Sequence, residues 1–360
     1  MEYATNYDIG DRKRPAGINE DSVALSVFEQ GHREGYRGQA RTTDGTETDG
    51  ADGVEGRPAN RSAAAFVLAD GAGGHEAGDV ASYIASTIVC ERLARVAIRA
   101  ARADPTDFDV SVERTPPAPS ASDLRESIEE AINAAHRAII ANAVESGAGA
   151  YTTVVAGVVA DGQLHYGWVG DSRAYVLNRD RGTIDRLTKD HAVVEEMHDA
   201  GELDDVEAHV HPRGNEITRA LGGTPAEDPE TAAIEVETET VPLYAEDTLL
   251  VTSDGLIDAQ TDAPDLYEAY KTEGSDEMAA EIRELVVTDD EIRDVVLDAD
   301  SLDDAATALG TLTNDRGGKD NFSVLLLEDE TLAETPAELP LRDVDATPVE
   351  DRETRIIPGE

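Results

Sequence analysis

Apolar residues recur along this chain in two rhythms, which sort it into strands and helices. Runs that are continuously apolar or alternate with polar residues read as strands at 22–27, 64–69, 153–160, 163–169, 173–177, 183–187, 248–253 and 322–327. Asp161-Gly162 stands between two such runs and predicts a tight hairpin. Gly170-Asp171-Ser172 and a turn at 178–182 separate the runs that follow. The middle of the chain therefore reads as an antiparallel meander, not a doubly wound parallel sheet. Ala81, Ile84, Ala85, Ile88, Val89 and Leu93 fall at helical intervals and predict a helix over 78–102. Leu124, Ile128, Ile132, Ala135 and Ile139 predict a second over 122–145, with Ser122 as its N-cap. Shorter helices fit 192–200, 275–286 and 302–312. Two long helices beside antiparallel hairpins make an α+β layered sandwich, helices covering sheet.

Three stretches break the rhythm. Residues 31–62 are rich in Gly, Thr, Asp and Arg and read as a flexible insertion. Residues 104–121 carry Pro105, Pro116, Pro117 and Pro119 and separate the long helices as a loop. Residues 331–360, acidic and Pro-containing, read as a disordered tail behind a single domain of residues 1–330.

Charge changes how any one acid is read. There are 77 Asp plus Glu against 30 Lys plus Arg, a formal net charge of −47. Most acids must be solvated surface, and such self-repulsion is relieved only where molar salt shrinks the Debye length to about 3 Å. Few lysines and aromatics complete a composition that resembles proteins of salt-loving microbes. Forty per cent of residues are hydrophobic and fall in periodic blocks, which excludes a disordered acidic chain. Nucleic-acid binding through a basic patch is excluded by the same balance. Cys90 is the single cysteine and sits on an apolar helix face, so neither a disulfide within the chain nor a cysteine nucleophile is expected. With no signal-like N-terminus and no apolar run near membrane length, a cytoplasmic, soluble monomer without membrane contact is expected.

Against that background, some acids stand out by position. Ala64 to Ala69 runs into Asp70-Gly71, Thr248 to Ser253 runs into Asp254-Gly255, and Gly317-Gly318-Lys319 delivers Asp320-Asn321 to the last strand. Asn19-Glu20-Asp21 precedes another strand, and adjacent acids there point to opposite faces. Carboxylates at strand tips are costly to desolvate unless a cation meets them, and hard divalent ions take such oxygen ligands. Asp171 lies in a turn at the same sheet end, equally readable as a local Asp-Ser turn, and Asp258 follows Asp254 by one helical turn.

The order of these pieces resembles the metal-dependent protein phosphatases of the type 2C (PPM) Ser/Thr family. The matching motifs are Asn19-Glu20-Asp21-Ser22, Asp70-Gly71-Ala72-Gly73-Gly74-His75, Tyr151-Thr152-Thr153, Gly170-Asp171-Ser172-Arg173, Leu187-Thr188-Lys189-Asp190-His191, Arg219-Ala220-Leu221-Gly222, Ser253-Asp254-Gly255-Leu256-Ile257-Asp258 and Gly317-Gly318-Lys319-Asp320-Asn321. The resemblance implies a four-layer αββα sandwich of two antiparallel sheets flanked by helix pairs. It implies a pair of Mn²⁺ or Mg²⁺ ions, with Asp70 bridging both, Glu20 and the Gly71 carbonyl on one, and Asp254 and Asp320 on the other. Asp21 would act through water; Thr153 and Asn321 would lie near the cluster; Asp171 and Asp258 would form a weaker third site. The implied reaction is in-line hydrolysis of phosphoserine or phosphothreonine in proteins by a water between two metals. The family's phosphate-holding arginine, three residues before the Asn of the first motif, is replaced here by Ala16; Arg14 is the nearest candidate. A pseudophosphatase scaffold that binds phosphoproteins, and a phosphatase acting on a small phosphorylated compound, stay open as alternatives.

Overall fold

The computed structural model describes residues 1–14, 17–29, 32–36, 62–72, 77–101, 118–260 and 263–343. Most of the 31–62 insertion, Gly73-Gly74-His75, Ala16, most of the Pro-rich loop and the chain beyond 343 lie outside the described residues. Strands Glu2–Asp8 (β1), Asp21–Glu29 (β2), His32–Tyr36 (β3) and Ser62–Ala72 (β4) lead to helices Ala77–Ala100 (α1) and Ala121–Ser146 (α2). Ala150–Thr152 (β5), Val154–Ala160 (β6), Gln163–Val169 (β7), Arg173–Asn178 (β8) and Thr183–Arg186 (β9) form the meander, and Val193–Asp199 (α3) and Asp205–Val210 (α4) follow. After Leu221–Gly223 (β10), Glu237–Pro242 (β11) and Asp247–Thr252 (β12) come Ala263–Glu273 (α5), Asp276–Leu285 (α6), Asp289–Asp298 (α7) and Leu302–Asp315 (α8), closed by Phe322–Glu328 (β13).

The strands form two antiparallel sheets. One runs β1-β13-β12-β8-β9; the other runs β10-β5-β4-β6-β7-β11, with β2 and β3 paired beside β4. Alternation along each strand divides its side chains between two cores. Phe66, Leu68, Tyr166 and Trp168 meet Val176, Leu249, Val251 and Leu325 between the sheets. On the outer face of the larger sheet, Ala65, Val67, Ala69 and Val158 pack under α1 and α2. On the outer face of the smaller, Tyr175, Leu250, Val324 and Leu326 pack under α7 and α8. The architecture is the expected four-layer α+β sandwich.

Local chemistry sets the boundaries. Asp161 and Gly162 both take positive φ (52° and 71°), so the β6–β7 hairpin closes with Ala160 opposite Gln163. The N-cap of α2 is Ser120, not Ser122: its hydroxyl accepts from Asp123 N while the Asp123 carboxylate returns to the Ser120 backbone. Among the described residues, no helix is long and apolar enough to cross a membrane.

The tail departs from expectation at its start. Residues 331–343 lie against the smaller sheet rather than free in solvent. Ala245 N donates to Ala333 O at 2.9 Å, and Asn178 Nδ2 donates to Thr335 Oγ1 at 2.9 Å. Arg342, 4 % exposed, donates from Nη1 to Asp247 Oδ2 at 2.6 Å and from Nε to Asp185 Oδ2 at 3.0 Å. A low-complexity segment with one arginine able to meet two sheet carboxylates has a reason to order that composition does not reveal.

Candidate metal centre

At one end of the sandwich the strand tips bring the singled-out acids together. β2 and β4 pair so that Asp21 stands opposite Asp70. Asp70 is fixed through its backbone: its N–H donates to Thr153 Oγ1 (3.1 Å), and its carbonyl accepts from Thr153 N and Thr152 Oγ1 (both 2.8 Å). Gly71 lets the chain close tightly on the start of α1, since a Cβ there would lie 2.2 Å from Gly78 O. The smaller sheet faces this edge through Ser253, whose Oγ donates to Asp21 Oδ2 at 2.9 Å and accepts from Ser323 N at 2.9 Å. Asp254 opens a 3₁₀ turn, and Asp258 N donates back to Asp254 O at 2.8 Å, which sets both carboxylates on one side.

Asn321 ties three segments at this end. Its Oδ1 accepts from Glu20 N, and its Nδ2 donates to Ile9 O, both at 3.0 Å. It therefore acts as scaffold for Glu20, and Thr153 does the same for Asp70. Asp171, 8 % exposed, follows Gly170 at φ 110°; Gly170 N donates to His191 Nδ1 at 3.0 Å. Below it Arg173 and Arg186 both hold Asp190 at 2.7 Å, which anchors the start of residues 190–215.

The electrostatics show how crowded the acids are. Burial, then the charges of Asp21 and Asp254, hold the Asp70 carboxyl well above the usual carboxylate range. Burial, then Asp254, does the same for Asp171. Asp21, Asp254 and Asp258 are each pushed up to about 6, burial again leading. Asp21 Oδ1 is buried with no hydrogen-bond partner among the described residues. Among the described residues no set of His, Cys, Asp or Glu side chains closes into a finished ion cage: Asp320 is turned to Lys13 and Asp21 to Ser253. An all-oxygen donor set with this excess of negative charge fits hard divalent cations such as Mg²⁺ or Mn²⁺.

A pH prediction follows for the metal-free protein. Carboxyls whose folded pKa lies above the unfolded value contribute stability that is present at low pH and lost as pH rises through about 6. Chelator-stripped protein is therefore expected to lose thermal stability between about pH 4 and pH 6 relative to an Asp254→Asn variant. Melting curves of the two proteins across that window check it; parallel curves would show that the fold does not hold the Asp254 carboxyl above its ordinary value.

Arg14 is not brought to this centre. Its guanidinium, 53 % exposed, pairs with Asp8 at 2.7 Å and Asp11 at 2.8 Å. Gly10 N-terminal to it takes φ +80°, and the helical turn that follows (Arg14 N to Gly10 O, 3.2 Å) puts Lys13 and Arg14 on different sides. Lys13 is the residue that faces inward, bonded through Nζ to Asp320. Burial pulls its pKa down, but Asp320, with Glu20 and Asp70, outweighs that and holds it above the ordinary lysine value. His209 lies outside the centre. It lies half-buried on α4, its carbonyl bound by Gln260 Nε2 at 2.9 Å, and burial lowers its pKa.

Comparison with known proteins shows the family. The profile of the family described as Protein phosphatase 2C matches residues 37–287. The chain is 30% identical over 266 residues to a serine/threonine phosphatase stp of Listeria welshimeri, covering 73% of this chain and 83% of that protein. It superposes on the Mycobacterium tuberculosis serine/threonine phosphatase PstP/Ppp with a TM-score of 0.58 at 26% identity, covering 93% of this chain and 99% of that one. It also superposes on the catalytic domain of the phosphatase PstP in complex with 2 manganese ions, with a TM-score of 0.56 at 25% identity, covering 91% of this chain and 97% of that one. The chain belongs to the protein phosphatase 2C family and, as a member, is a protein-serine/threonine phosphatase.

Proposed function

We propose that Glu20, Asp70, Asp254 and Asp320, with the Gly71 carbonyl, hold two Mn²⁺ or Mg²⁺ ions, and that Asp21 orients water beside them. The observation that carries the reading is the meeting of Asp21, Asp70 and Asp254 at one edge, with carboxyl pKa values raised by burial first and by neighbouring carboxylates second. Bound there, the ions supply a water of lowered pKa as nucleophile and offset the charge of the phosphoryl oxygens. The protein fixes the residues that would hold the ions and their water: Thr152 and Thr153 lock the Asp70 backbone, Ser253 locks Asp21, and Asn321 locks the Glu20 backbone. Asp171 and Asp258 are the residues for a weaker third ion. Substrates are phosphoserine and phosphothreonine in proteins, and the chain works as a cytoplasmic monomer without nucleic-acid or membrane partners. The net charge of −47 supports a high-salt setting.

Lys13, in place of Arg14, is the cation that meets the substrate phosphate in this reading. Its Nζ is already among the carboxylates, and a phosphate dianion arriving with the ions offers it a new partner. Lys13→Ala should raise KM for a phosphothreonine peptide about 10-fold, whereas Arg14→Ala should leave KM unchanged. The reverse pattern would return the role to Arg14. Manganese-dependent release of phosphate from that peptide, in molar KCl, tests the function itself; a folded, metal-binding protein with no turnover would favour a scaffold instead.

A further inference from the structure

We propose that a groove beside the metal centre recognises a basic side chain flanking the phosphorylated residue of the substrate protein. The proposal rests on the phosphoprotein hydrolysis assigned above and adds a specificity determinant to it. The groove, about 300 Å³, lies where the start of β2 meets the first turns of α1 and is lined by Asn19, Asp21, Ser22, Asp79, Val80 and Tyr83. It is continuous with the metal centre: Asp21 belongs to both, and Gly78, just before Asp79, packs so closely that a Cβ there would lie 2.5 Å from Glu20 Oε1. A peptide whose phosphoryl group sits at the carboxylate cluster can thus lay a neighbouring side chain along it.

Two properties of the groove select that side chain. Its rim is apolar: Val80 is 38% and Tyr83 55% exposed, and Ile18, next to Asn19, is 43% exposed. Large hydrophobics left in solvent at one place mark a contact surface. Its floor is acidic: Asp79 and Asp21 both line it, and Asp79 Oδ1 is buried with no hydrogen-bond partner among the described residues. Arginine and lysine combine an apolar stem with a cationic head and so match both features. The Tyr83 ring adds a face on which a guanidinium can stack. An acidic neighbour would be repelled by Asp79 and Asp21, and an aliphatic one would cover the rim while leaving the carboxylates unanswered.

The test uses the full chain with Mn²⁺ and phosphothreonine peptides that carry Arg, Ala or Glu at successive positions around the phosphothreonine. The readout is kcat/KM, with p-nitrophenyl phosphate as a substrate that cannot reach the groove. At one position or more, Arg is expected to be preferred to Ala by about 5- to 10-fold, with Glu worst. Asp79→Asn and Tyr83→Ala should each reduce that ratio toward unity while p-nitrophenyl phosphate turnover stays unchanged. Equal rates for all peptides, or a ratio that neither variant moves, would overturn the proposal. So would a parallel fall with p-nitrophenyl phosphate, since the variants would then act on the metal centre. Loss of all turnover in the unaltered chain would instead count against the hydrolase itself.

Discussion

Asp70→Asn is expected to lower phosphatase turnover by at least about 10³-fold, the scale of losing a central electrostatic contact in the transition state, while the protein stays folded. Asp70 lies at the meeting point of the cluster, opposite Asp21 and close enough to Asp254 to feel its charge. Its backbone position depends on Thr152 and Thr153, not on its own carboxylate, so Asn fits the same place. What the substitution removes is the negative charge that makes the site worth occupying by two dications. The same removal relieves repulsion in the metal-free state, so near neutral pH the stripped variant should melt no lower than the stripped parent. Retained turnover would contradict the metal assignment. A lower melting point would show Asp70 to be structural.

Arg342→Ala should destabilise the fold by about 3 kcal/mol, at the lower end of the cost of breaking a buried ion pair. The guanidinium reaches Asp247, itself 3 % exposed, and no other cation meets that carboxylate among the described residues. Asn178 Nδ2 and Tyr244 N still donate to Asp247 after the change, which keeps the cost from being larger. Because both partners are buried, molar salt should not erase the effect. Replacing the pair together, as Arg342→Met with Asp247→Leu, should recover much of the loss. A single variant that melts like the parent would mean that the Arg342 ion pairs contribute nothing to stability.

The two predictions fall on opposite sides of what the sequence made legible. The cluster acids were readable because strand tips have a fixed grammar: an apolar run, then Asp-Gly. The layers were readable for a similar reason, since β6, β7, β12 and β13 are buried on both faces and each carries a mostly apolar stretch. Edge elements were harder. Among the described residues β1 pairs only with β13 and leaves Tyr7 64 % exposed, so its alternation is weak, and β11 is a mostly polar edge beside β7. Helices α5 and α7 were missed because each shows solvent most of its surface: α5 has no fully buried residue, and α7 buries only Ile292 and Val296. Arg342 and Lys13 were missed for a different reason. Each is an ordinary basic residue whose role comes from which carboxylates the fold carries to it, and periodicity cannot report that.

The most direct measurement is phosphate release from a phosphothreonine peptide by chelator-stripped protein, followed as Mn²⁺ is added back in molar KCl. The reading of Asp70, Asp254, Asp320 and Glu20 as a two-ion centre predicts no turnover before addition and saturating recovery after it, with none in Asp70→Asn. Turnover that persists in the chelator, or that recovers equally in Asp70→Asn, would contradict it.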